Sequence, residues 1–138
     1  MMEDSIEKDA QLSAWPKAIA AITLFMEDMA AAKEFYQSVF GLPVFYEDEN
    51  SAVFKFGDTL VNLLDAPAAP ELIEPAAVAN PEAGHRFVLT IEVDDVDAMC
   101  AQLIERGVKL LNGPMDRPWG IRTASFADPG GHIWEIGK

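Results

Sequence analysis

The sequence predicts an α+β fold of two βαβββ modules whose strands form a cupped mixed sheet. Three observations carry that expectation. The first is the stretch Asp128-Pro129-Gly130-Gly131-His132-Ile133-Trp134-Glu135-Ile136, a turn running into a short closing strand. Pro129 presets one turn torsion, and the two glycines supply backbone that reverses direction easily. The second is a weaker echo upstream, Gly57-Asp58-Thr59-Leu60-Val61-Asn62-Leu63, in which Asn62 falls on Glu135. The third is a strand pattern followed by a helical stripe, which occurs twice with an Ala/Pro-rich run between the copies.

The elements follow in order. Residues 1–17 show no clear period and form an arm ahead of a single domain over 18–138. Residues 18–26 alternate as a strand, with Ile22, Leu24 and Met26 on one face and Ala21, Thr23 and Phe25 on the other. Asp28 is a suitable N-cap for a helix over 29–40, in which Met29, Ala32, Phe35, Tyr36, Val39 and Phe40 recur at helical spacing. Gly41 ends it. Three short strands follow at 43–46, 52–56 and 60–64, which completes a first module over 18–65.

A linker over 66–85 holds Pro67, Pro70, Pro75 and Pro81, so it supports neither a long helix nor a central strand. The second module, 86–138, repeats the first. A strand over 86–93 leads to Asp95, a second N-cap. A helix over 96–106 carries Val96, Met99, Cys100, Leu103 and Ile104 on its apolar stripe, and Gly107 stops it. Strands at 108–111, 122–127 and 132–136 close the unit, with a loop over 112–120 that holds Pro114, Pro118 and Trp119.

Composition narrows the function. The 138 residues carry a formal net charge of −13, with half of them hydrophobic. So acidic a chain disfavours nucleic acid and anionic membrane surfaces, which need clustered Lys and Arg, and it suits a cationic guest. The one cysteine, Cys100, permits no disulfide within the chain and fits a reducing cytoplasm; it reads as a packed core thiol. The first residues do not resemble a signal peptide, and no apolar run approaches the ~18 residues of a membrane span.

Strand parity assigns the apolar side of each sheet to its helix. The opposite, more polar side then lines the cup, with Ala21, Asn62, Val88 and Glu135 at equivalent positions and Thr23 and Thr90 beside them. Trp119 and Arg122 lie in and after the last long loop. From there Trp119 either covers the mouth of the cup and stacks on a ligand or plugs the core beside Pro118.

With these positions assigned, the chain resembles the vicinal oxygen chelate superfamily, which includes glyoxalase I, extradiol dioxygenases and bleomycin-resistance proteins. The resemblance rests on Phe25-Met26-Glu27-Asp28, Phe35-Tyr36 and Phe40-Gly41-Leu42. It rests equally on Ile91-Glu92-Val93-Asp94-Asp95-Val96-Asp97 and on Asp128-Pro129-Gly130-Gly131-His132. It implies a divalent metal held by His, Glu or Gln on the inward strands. Those slots align here with Ala21, Asn62, Val88 and Glu135, of which only Glu135 is an ordinary ligand. His85 and His132 each lie three residues before a slot, with the wrong strand parity.

The expectation is therefore a metal-independent small-molecule binder without a cofactor, similar to the bleomycin-resistance branch and working as a homodimer. Its ligand-binding residues are expected to be Glu135, Asn62, Thr23, Thr90, Trp119 and Arg122. Two other readings stay open: a glyoxalase-like lyase or isomerase or a dioxygenase-like enzyme, and an accessory module with a vestigial cup.

Overall fold

A computed structural model describes residues 16–138. The arm expected over 1–17 falls almost wholly outside that range. The first module comprises β1 (Ala21–Met26), α1 (Met29–Ser38), β2 (Tyr46–Glu47), β3 (Ser51–Phe56) and β4 (Thr59–Asp65). A short helix, α2 (Pro70–Ile73), and two single 3-10 turns, Ala66–Ala68 and Pro81–Ala83, punctuate the linker. The second module comprises β5 (Leu89–Glu92), α3 (Val96–Glu105), β6 (Leu110–Asp116), β7 (Arg122–Ala127) and β8 (Ile133–Gly137).

Each module builds its own four-stranded mixed sheet, in the orders β1-β4-β3-β2 and β5-β8-β7-β6. In both, the first and last strands of the module pair in parallel and the remaining pairs are antiparallel. The repeat extends to register: Thr23 lies opposite Asn62, as Thr90 lies opposite Glu135. Both helices begin alike, since the Asp28 carboxylate accepts from the Ala31 N–H and the Asp95 carboxylate from the Ala98 N–H, each at 3.0 Å. These caps satisfy amides that have no partner inside the helix.

The strand bounds differ from the sequence expectation where proline and edge position compete. The strand expected over 43–46 shrinks to β2 at Tyr46–Glu47, because Pro43 has no N–H for a ladder. The expected strand over 86–93 begins only at Leu89, which leaves Phe87 and Val88 about half exposed. The expected loop over 112–120 is instead strand as far as Asp116. β6 is an edge strand, where a proline costs no ladder bond on its free side, and two register shifts against β7 absorb Gly113-Pro114. Gly113 is required there. Its φ is +87°, and a Cβ on it would stand 2.5 Å from the Thr123 carbonyl oxygen.

The apolar sides of both sheets meet in one core. Leu24, Met26, Phe54, Val61 and Leu63 bury beneath α1, and Ala124, Phe126, Trp134 and Ile136 join them from the second sheet with Cys100 and Leu103 of α3. Aromatic rings cross the module boundary. Trp134 stacks on Phe56 at 5.1 Å and meets Phe40 at 5.0 Å and Tyr36 at 6.1 Å. Polar groups cross it too. The fully buried Tyr36 hydroxyl donates to Asp128 Oδ2 at 2.7 Å and accepts from Trp134 Nε1 at 3.1 Å. Arg106 Nη1, just past α3, donates to the Val39 carbonyl at the end of α1. The helix-facing sides of the sheets are therefore turned to a common interior, and their polar sides are turned away from it.

Candidate functional site

The polar side of each sheet carries one threonine pair at the same register position. In the second sheet the Thr90 hydroxyl donates to Glu135 Oε1 at 3.0 Å. In the first, Asn62 Nδ2 donates to Thr23 Oγ1 at 3.5 Å, the long limit for such a bond. Asn62 Oδ1 is buried and has no hydrogen-bond partner. A buried carbonyl without a donor costs about 1–3 kcal/mol, a cost that an incoming donor would relieve.

Asn62 opens onto a cavity of about 370 Å³ formed by the β2–β3 turn, β4 and the linker helix α2. Asp48, Glu49 and Glu71 line it, together with Ser51, and no cationic side chain does. Hydrogen bonds from the Asn50 amide and the Ser51 hydroxyl and amide hold the Asp48 carboxyl below the usual carboxylate range. The wall is therefore anionic at neutral pH. Nothing in the sequence pointed to this cavity beyond the overall acidity: Glu47-Asp48-Glu49 reads as a turn, and Glu71 sits in a linker that folds back over β4.

Of the six expected binding residues, the structure brings Thr23 together with Asn62 and Thr90 together with Glu135, each pair on its own sheet. Glu135 is satisfied within its own sheet by Thr90, because the parallel β5–β8 register sets the two directly opposite. Arg122 does not face these pairs. It shares parity with Ala124 and Phe126, and its guanidinium binds Asp97 of α3 at 2.8 and 3.0 Å and Asp116 of β6 at 3.1 Å. Those bonds hold the Asp97 carboxyl below its ordinary range. Trp119 does not plug the core: it is 68% exposed on the β6–β7 loop, with the Arg117 guanidinium 6.0 Å from its ring centroid.

The metal slots implied by the resemblance do not supply a ligand set. Ala21 and Val88 have no lone pair to offer, Asn62 is a weak donor, and Glu135 is held by Thr90. Among the described residues no group of three or more His, Cys, Asp or Glu side chains is placed to hold a metal ion. No helix among them is long and apolar enough to cross a membrane.

Paired βαβββ modules, each with a polar pair at the same register position, define a protein of the glyoxalase type. The chain belongs to the Glyoxalase/Bleomycin resistance protein/Dioxygenase superfamily, whose family model matches residues 18–136. It is 37% identical over 121 residues to the uncharacterized protein YraH of Bacillus subtilis (strain 168), covering 85% of this chain and 94% of that one. A glyoxalase/bleomycin resistance protein/dioxygenase from Nocardioides superposes with a TM-score of 0.83 at 23% identity, over 98% of this chain and 91% of the other. A lactoylglutathione lyase from Agrobacterium tumefaciens has the same fold, with a TM-score of 0.71 at 24% identity over 89% and 94%. TnmS3, an antibiotic binding protein from Streptomyces sp. CB03234, superposes with a TM-score of 0.66 at 28% identity over 88% and 94%.

Proposed function

We propose that this protein binds a small cationic molecule without a metal, using the polar sides of its two sheets. The observation that carries this reading is the orphaned Asn62 carbonyl on a cavity walled by Asp48, Glu49 and Glu71. A ligand ammonium or guanidinium would supply the missing donor and meet the carboxylates at once. The likeness to TnmS3, an antibiotic binding protein, supports binding as the activity. Catalysis by a bound metal would need ligands that Ala21 and Val88 do not provide.

The polar sides are turned away from the common core, so one chain leaves each as an open half-site. A homodimer that sets the first sheet of one chain beside the second sheet of its partner encloses both, with Asn62 from one chain and Glu135 from the other facing one guest. Symmetric dimers are the commonest oligomer, and two identical sites result. A thermal-shift screen of cationic and neutral small molecules tests the reading. Cationic hits should lose affinity on Asn62→Leu and on Glu135→Gln, while both variants stay folded. An equimolar mixture refolded from the two variants should recover part of the binding, because half of the sites in each heterodimer are intact. Hits that bind both variants as tightly as the parent would refute it.

A further inference from the structure

A second cavity, of about 360 Å³, lies where the linker passes between β1 and the turn before β8. Residues 77–81 and 83–87 form one wall and residues 130–133 another, and Thr23 and Phe25 close it from the first sheet. Both histidines of the chain line it. Its other charged side chains are Glu27 and Arg86, and Val78, Ala79, Phe87 and Ile133 make much of the remainder apolar.

His132 is held there with a fixed protonation pattern. The Asp128 side chain is fully buried and collects the Gly130 and His132 amides on Oδ1, at 3.0 and 2.9 Å, and the Tyr36 hydroxyl on Oδ2. The Tyr36 oxygen already accepts from Trp134, so its own proton points to Asp128. A carboxylate so supplied with donors only accepts. His132 Nδ1, at 3.0 and 3.1 Å from its two oxygens, must therefore carry a proton. In the neutral ring the lone pair then sits on Nε2, on the side away from Asp128, with no protein partner among the described residues. Gly130 makes the room: a Cβ on it would stand 2.6 Å from Met26 Sδ and 2.7 Å from His132 Cε1.

We propose that this cavity is a second ligand site and that His132 Nε2 is its proton acceptor, for a small, largely apolar molecule bearing an acidic hydroxyl: a phenol or an enol. The ligand O–H bond breaks, its proton passes to Nε2, and the electron pair stays on the oxygen. The products are an oxyanion and an imidazolium whose Nδ1–H stays hydrogen-bonded to the Asp128 carboxylate. The volume lies within the range of ordinary small-molecule pockets. The site differs in chemistry from the acid-lined cavity at Asn62, although Thr23 borders this cavity and bonds Asn62.

Two measurements on the full chain test the proposal. Ring-nitrogen NMR of the ligand-free protein should find neutral His132 protonated on Nδ1 and bare on Nε2; a proton on Nε2 overturns the assignment. Titration with 4-nitrophenol, at a pH below that phenol's own pKa, should raise the phenolate absorbance on binding. His132→Gln should weaken that signal at least about tenfold, which is about 1.4 kcal/mol, while Glu105→Gln, exposed on α3 and in neither cavity, leaves it unchanged. No binding by the parent protein, or a phenolate signal that survives His132→Gln, refutes the site without touching the cationic site at Asn62.

Discussion

Replacing Tyr36 by Phe deletes one oxygen from the centre of the molecule and nothing else. The ring keeps its contacts with Phe54, Phe40 and Trp134, so no cavity opens. Trp134 Nε1 loses its acceptor while it remains buried, at a cost of about 1–3 kcal/mol for an unsatisfied group. Asp128 Oδ2 loses a hydrogen bond to a charged acceptor, worth about 1.5–3 kcal/mol, and keeps only His132 Nδ1 at 3.1 Å. The two losses share one oxygen and do not add in full, so the expected destabilisation is about 2–4 kcal/mol. Against a total of about 5–15 kcal/mol this is a large fraction, and at this chain length it lowers Tm by about 6–15 °C. Urea unfolding followed by tryptophan fluorescence, with a thermal melt beside it, reads both quantities. Tyr46→Phe is the control: its hydroxyl makes only an exposed 3.5 Å contact with Asp48, and its effect should stay within about 0.5 kcal/mol. A Tyr36→Phe variant as stable as that control would show that the inter-module hydrogen bonds contribute nothing.

The same hydroxyl sets an alkaline limit. Burial, and then the Asp128 carboxylate, push the Tyr36 pKa far above the usual tyrosine range. The folded protein thus holds a proton that the unfolded chain releases near about pH 10, so this contribution is complete below that pH and is lost as pH rises through and beyond it. A pH series of urea midpoints should fall above about pH 10 for the parent and fall less steeply for Tyr36→Phe. Gly113→Ala should destabilise by about 2–4 kcal/mol, because both its positive φ and the Thr123 carbonyl exclude a Cβ; calorimetry that finds it neutral would remove the bulge from the account. Cys100 is 3% exposed, and burial raises its thiol pKa, so a chromogenic disulfide reagent should label it only as fast as the protein opens, and promptly in denaturant.

Local chemistry made the two-module plan legible in the sequence. Asp28 and Asp95 are good caps wherever they stand before an apolar stripe, and period-two alternation put Val61, Leu63, Trp134 and Ile136 on the buried side, where they lie. Parity also put Thr23, Asn62, Thr90 and Glu135 on the polar sides, but it did not pair them: the partners Thr23–Asn62 and Thr90–Glu135 are set by the register of each sheet. It failed for Arg122, whose long side chain reaches along the helix side to Asp97. It had no means of placing Tyr36 against Asp128, 92 residues apart, because packing between modules leaves no period in the chain. Asp128-Pro129-Gly130-Gly131-His132 was readable as a turn, but not as a buried carboxylate collecting donors from three directions. The acid-lined cavity escaped for a related reason: it needs α2 folded back over β4, and the composition of a proline-rich linker says where a helix stops rather than where it lies.

The aromatic seam between the modules has a consequence for how the chain can come apart. A fragment ending at residue 65 would leave Phe35, Phe40 and Phe56 facing water where Phe126 and Trp134 now cover them. The second half alone would strand the Asp128 carboxylate without its tyrosine. Doubled though it is in sequence, the protein should unfold as a single cooperative unit, because both modules share one core. Its slowest-exchanging amides should be distributed over β4 and β8 together and released in one opening event, rather than in two steps of different free energy.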